Sequence, residues 1–158
     1  MRLYFDSAYL GKCYWNEPDG KLVRELARNA DGLYSSAICI AEMACLAHRK
    51  VREGPGTPAD AAIRQDLFLD DVSTAVITAV PVTERLLRRV EATTRALPPS
   101  CHVRTFDALH LVTAADTGFV EIWTNDRHML AAAPHFGLIG RSLGSTPPQS
   151  SLAKVQTE

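Results

Sequence analysis

No apolar run in the sequence is long enough to cross a bilayer, so nothing in it reads as a membrane span. The N-terminus, MRLYFDSAYL, lacks the charged, apolar and small-residue order of a signal peptide, and a cytoplasmic protein is expected. Four cysteines are present, Cys13, Cys39, Cys45 and Cys101, but no C-x-x-C pair. That argues against a zinc site and for buried, reduced thiols. Basic charge is not in excess either: 17 Lys and Arg against 18 Asp and Glu give a formal net charge of −1. A strongly basic nucleic-acid coat protein is therefore excluded. A nuclease is not, because phosphate affinity can come from a local basic patch or from bound metal. No internal repeat and no interior linker interrupts the chain.

The 158 residues, 46% hydrophobic and 22% charged, suit one domain with a sizeable core. Leu3–Phe5 reads as a buried strand entering Asp6, followed by a turn-rich stretch with Asn16, Pro18 and Gly20. Residues 21–30 have helical period, closed by Gly32. Leu33–Ser35 is a short strand, and Ser35 or Ser36 caps the helix AICIAEMACLAHRK. VREGPGTP is a break. A helix over 59–72 and a β-branched strand over 74–82 follow. Thr83 caps the next helix, stopped by Pro98-Pro99. RTFDALHLVTAADTG is an apolar helix closed by Gly118, VEIWT (120–124) a strand, and Asn125-Asp126 the start of a short helix. GLIG supplies a last edge strand. This order predicts an α/β domain over residues 1–142, with a central, mainly parallel β-sheet flanked by helices on both faces. The Ser-, Pro- and Gln-rich residues 143–158 are expected to be a disordered tail.

In such a sheet the crossover helices run antiparallel to the strands, so helix N-termini and strand C-terminal ends share one edge, where ligand sites collect. Asp6 ends the first strand and Asp126 follows the VEIWT strand. Glu42 lies in the first turns of one helix and Asp107 near the start of another. All four acids fall at that edge, whereas Glu25, Asp70 and Glu91 fall elsewhere on their helices. Glu42 is expected to share an inward stripe with Ile38, Cys45 and Leu46, with the Ile40–Met43–Ala47 side as the alternative buried face. Asp107 sits among apolar neighbours, where an unpaired carboxylate is costly. A divalent cation compensates such a group of acids, and all-oxygen ligands suit Mg²⁺ or Mn²⁺. Each acid also has a plainer reading, as a turn, cap or surface residue.

Ser7, Thr124 and Asn125 flank these acids and serve either to orient a ligand carboxylate or to satisfy local backbone groups. Arg104 and Arg127 lie near them and either contact phosphates or pair on the surface. His110, one turn after Asp107, reads as a hydrogen-bonded packing histidine. Arg85, Arg88 and Arg89 read as a solvated stripe, and Tyr14 and Trp15 as packing residues rather than base-stacking ones.

The sequence block YFDSAYLGKCYWNEPDG resembles the opening of PIN-domain proteins, especially the VapC-like toxins of toxin–antitoxin pairs. SSAICIAEM, RTFDALHLVTA and WTNDRHM resemble their further blocks, in the same order. The resemblance implies a PIN fold and a Mg²⁺- or Mn²⁺-dependent endoribonuclease acting on RNA, with Asp6, Glu42, Asp107 and Asp126 as the acidic cluster. It also implies a homodimer and a cognate VapB-like antitoxin. A haloacid-dehalogenase-type phosphatase is excluded by Ala8, where that class needs a second aspartate, and a phosphorelay receiver by its missing acids and lysine. A PIN-like interaction module without cleavage and a metal-dependent DNA nuclease stay open.

Overall fold

The structure, a computed structural model, describes residues 1–143. Apart from Leu143, the tail expected over 143–158 lies outside the described residues. Strand β1 (Arg2–Tyr4) pairs in parallel with β2 (Gly32–Ser36), and β2 with β3 (Ile77–Val80). Strand β4 (Glu121–Trp123) pairs in parallel with β5 (Ile139–Arg141). The two sets meet at one parallel bridge between Phe5 and Trp123, where the Asp6 N–H donates to the Trp123 carbonyl at 3.2 Å. The spatial order is thus β3-β2-β1-β4-β5. The chain leaves β1 toward one edge, then returns to build the other edge from β4. A parallel sheet has its binding crevice at such a reversal, and the reversal here lies between the ends of β1 and β4.

Among the described residues seven helices cover the sheet: α1 (Ser7–Tyr14), α2 (Gly20–Arg28), α3 (Cys39–Arg52), α4 (Pro58–Ser73), α5 (Glu84–Arg95), α6 (Thr105–Asp116) and α7 (Arg127–Ala132), the last running into a 3₁₀ turn at Ala133–Phe136. Side chains alternate across a strand, and β1 shows why its run is apolar throughout. Leu3 and Phe5 enter one core with Leu10, Met43 and Phe68; Tyr4 enters the other with Leu111, Ile122 and Met129. Helices α1–α4 thus pack on one face and α5–α7 on the opposite one. Fully burying a side chain such as Phe68, which has no exposed area, stabilises the fold by about 1.5–3 kcal/mol. Helix α6 is the central one: Ala108 through Ala114 are all buried, which is why it is apolar nearly all round.

Three expectations need correction. The stretch after Asp6 is not simply turn-rich, since it opens with α1. That helix is eight residues long and carries Gly11, a residue that lowers helix propensity. The glycine has a packing cause: a Cβ there would lie 2.5 Å from Leu46 Cδ2, so its absence lets α1 approach α3. On α3, the buried stripe is Cys39, Met43 and Ala47. This is close to the alternative face, although Ile40 is exposed; Ile38, Glu42 and Leu46 are half-buried beside it. Cys45 consequently faces outward and is exposed, unlike the buried Cys39. Burial pushes the Cys39 and Cys13 thiols up to about 11, keeping them protonated and unreactive.

Trp15 is a packing residue, buried with Ala47 and Ala61. A Cβ on Gly56 would come within 2.8 Å of its ring, and the Arg64 guanidinium lies 5.0 Å from its centroid, so the connection over 53–57, between α3 and α4, is folded over it. Tyr14 donates to Asp71. The arginine stripe of α5 is ion-paired: Arg85 and Arg89 hold Asp116, and Arg88 holds Glu84. No helix among the described residues is long and apolar enough to cross a membrane.

Candidate active site

A cleft of roughly 1340 Å³ opens at the strands' C-terminal ends, and Asp6, Glu42, Asp107 and Asp126 all line it. Helix starts place the four. Asp6 is the N-cap of α1, Glu42 lies in the first turn of α3, Asp107 in that of α6, and Asp126 is the N-cap of α7. Helix N-termini present unpaired N–H groups and the positive end of the dipole, which offsets part of the repulsion among gathered carboxylates.

Asp6 is the deepest, 4% exposed. Its Oδ1 accepts from the Tyr9 N–H at 2.8 Å and its Oδ2 from the Thr124 hydroxyl at 2.5 Å. Burial pushes its carboxyl above the usual range, against the lowering effects of His110, Thr124 and the Tyr9 N–H, with Glu42 adding to the rise. Thr124 is wholly buried, and its oxygen also accepts from the Asp126 N–H at 2.9 Å. One hydroxyl thus ties the acid after β1 to the acid after β4, across the single bridge that joins the two halves of the sheet. Thr124→Val keeps the shape but loses both bonds. It is expected to cost about 1–3 kcal/mol in urea unfolding; an unchanged midpoint would show that the hydroxyl carries no such link.

Glu42 belongs to a second group. It accepts from the Ser7 hydroxyl and lies 2.9 Å from His110 Nε2, which is 3.2 Å from Ser7 Oγ. His110 Nδ1 lies 3.2 Å from the Tyr4 hydroxyl. An ionised carboxylate only accepts, so Nε2 carries the hydrogen toward Glu42, while Nδ1 shares a hydrogen bond with the Tyr4 hydroxyl. Burial pushes the Glu42 carboxyl up, but the hydrogen bond and charge of His110, with the Ser7 bond, outweigh it and hold it below the usual range. His110 is a packing histidine as expected, 2% exposed, but it is also the second anchor of Glu42. The available signal was its place one turn after Asp107 on an otherwise apolar helix.

Asp107 and Asp126 are bridged by Arg104. Arg104 Nε lies 3.0 Å and its backbone N 3.3 Å from Asp107 Oδ2, while another guanidinium nitrogen lies 2.7 Å from Asp126 Oδ2. Asp107 thus also caps the start of α6 by accepting from the Arg104 N–H, a bond that the guanidinium, which has no acceptor, cannot return. Asp126 Oδ1 accepts from the His128 and Met129 N–H groups. Burial raises the Asp126 carboxyl, but those two bonds, Arg104 and His128 bring it below the usual range. Bonding to Asp107, then the charges of both acids, raises the Arg104 guanidinium further. Asn125 is exposed on the cleft rim and accepts from Ser142 at 2.7 Å. Arg127 is exposed. Among the described residues, no three His, Cys, Asp or Glu side chains are arranged to hold a metal ion; the cation found between Asp107 and Asp126 is a guanidinium.

Residues 4–134 match the family model described as PIN domain. The chain belongs to the PIN-domain family. No curated protein sequence matches it significantly. Among solved structures it is similar to a chain in the crystal structure of VapBC2 from Rickettsia felis bound to a DNA fragment from their promoter, with 16% identity, a TM-score of 0.60, and coverage of 90% of this chain and 98% of that one. At that identity the likeness establishes the fold, which agrees with the α/β PIN architecture expected from the sequence.

Proposed function

We propose that this PIN-domain chain is a Mg²⁺- or Mn²⁺-dependent endoribonuclease, the toxin of a VapBC-type pair. The observation that carries the reading is the convergence of Asp6, Glu42, Asp107 and Asp126 on one cleft at the reversal of strand order. The donor set fits a hard divalent cation: every candidate ligand is a carboxylate oxygen, and a positively charged group already lies between two of them. Asp6 and Asp107 would be the central ligands, with Glu42 and Asp126 completing the site directly or through water. When bound, the ion lowers the pKa of water and offsets charge on the phosphate and leaving oxygen.

The protein's own residues do the positioning. Thr124 fixes the Asp6 carboxylate, while Ser7 and His110 fix Glu42 and keep it ionised. Asn125 and Arg104 stand at the cleft where a phosphate would pass. The family resemblance supports RNA as substrate, a VapB-like antitoxin as partner, a homodimer and a cytoplasmic setting. Carboxylates do not detect a 2′-hydroxyl, so the substrate is separated by test. Purified chain is expected to cut single-stranded RNA with Mn²⁺, to stop with chelator, and to spare DNA of the same sequence. Cleavage that survives the chelator, or none of either strand, contradicts the proposal.

A further inference from the structure

Both carboxylate oxygens of Asp126 are engaged within the protein. Its Oδ1 is committed to the first N–H groups of α7, and its Oδ2 is held by Arg104. The same guanidinium sits on Asp107 Oδ2. A cation that draws on Asp126 Oδ2 therefore competes with the protein's own arginine. The Arg104 side chain is 64% exposed, its backbone is the extended N-cap of α6, and exposed ion pairs are weakly held. It can swing away without disturbing the core. It would then stand free beside the cleft, a planar fork suited to phosphate oxygens.

Resting on the metal-site reading above, we infer that Arg104 is an exchangeable internal cation: it occupies Asp107 and Asp126 in the free protein, yields to the metal, and passes to the substrate phosphate. Two consequences follow. Arg104 weakens metal binding in the free protein. It also couples metal to substrate, because a bound phosphate gives the displaced guanidinium a new partner; by linkage each ligand then strengthens the other. An arginine that merely caps α6 would do neither.

The test is calorimetric titration of Mn²⁺ into wild type, Arg104→Gln and Asp6→Asn, alone and with a non-cleavable 2′-O-methyl RNA oligonucleotide. Arg104→Gln is expected to bind Mn²⁺ about tenfold tighter than wild type without oligonucleotide, and the oligonucleotide to raise Mn²⁺ affinity about fivefold or more in wild type but much less in the variant. Equal or weaker Mn²⁺ binding by Arg104→Gln, or equal enhancement by oligonucleotide in both proteins, overturns the exchange while leaving the metal site standing, provided Asp6→Asn has lost binding. Absence of Mn²⁺ binding in both wild type and Arg104→Gln overturns the metal site and the exchange together.

Discussion

Asp6→Asn is expected to lower the rate of RNA cleavage by more than about 100-fold, beyond what loss of a supporting residue around a metal usually costs, without lowering the melting temperature. Both halves follow from the surroundings of Asp6. Asparagine is as good an N-cap as aspartate, so its carbonyl can still accept from the Tyr9 N–H. The amide nitrogen then faces Thr124. That hydroxyl can reverse roles, accepting the new donor as well as the Asp126 N–H, because it has two lone pairs. What disappears is a buried negative charge whose carboxyl is already pushed up by burial. Stability should stay the same or rise, while the hard anionic ligand is gone. A site that is more stable without its charge is one where fold has been traded for function. Circular dichroism melting and a cleavage time course check the pair; wild-type rates in Asp6→Asn would remove Asp6 from the chemistry.

His110→Ala should have the largest effect on stability. The ring is almost fully buried and bonded on both nitrogens, so truncation leaves a cavity under α6 and strips partners from Glu42 and from the buried Tyr4 hydroxyl. Cavity and lost bonds together cost about 2–4 kcal/mol, or roughly 5–15 °C in melting temperature for a chain of this size. Glu42, no longer anchored, should also lose orientation, with cleavage falling about 10- to 100-fold. A destabilisation below about 0.5 kcal/mol in urea unfolding would mean that this network is not holding α3 to α6.

These residues show which parts of the molecule are legible in a one-dimensional reading. The placement of the four acids followed from strand-then-helix order alone, because parallel crossovers bring strand ends and helix starts to one edge whatever the side chains are. The parallel sheet and its two helical layers followed from the same alternation. Helix α1 was hidden, because its eight residues are too few for periodicity to show and its Gly11 reports a contact with Leu46 thirty-five positions away. The rotation of α3 was equally hidden: both of its candidate faces are apolar, and only the neighbouring helices decide that Met43 goes in and Cys45 stays out. The pairings inside the site are long-range too. Tyr4 with His110, Ser7 with Glu42, and Arg104 with Asp126 join elements that no local spacing relates.

The most direct test of the account is a crystal of the full chain grown with MnCl₂ and measured near the manganese absorption edge. An anomalous peak in the cleft, bound by the carboxylates of Asp6 and Asp107 and with Arg104 turned away from Asp126, is the predicted result. A cleft without manganese density, with Arg104 still bridging Asp107 and Asp126, would contradict the claim that these four acids form a metal site.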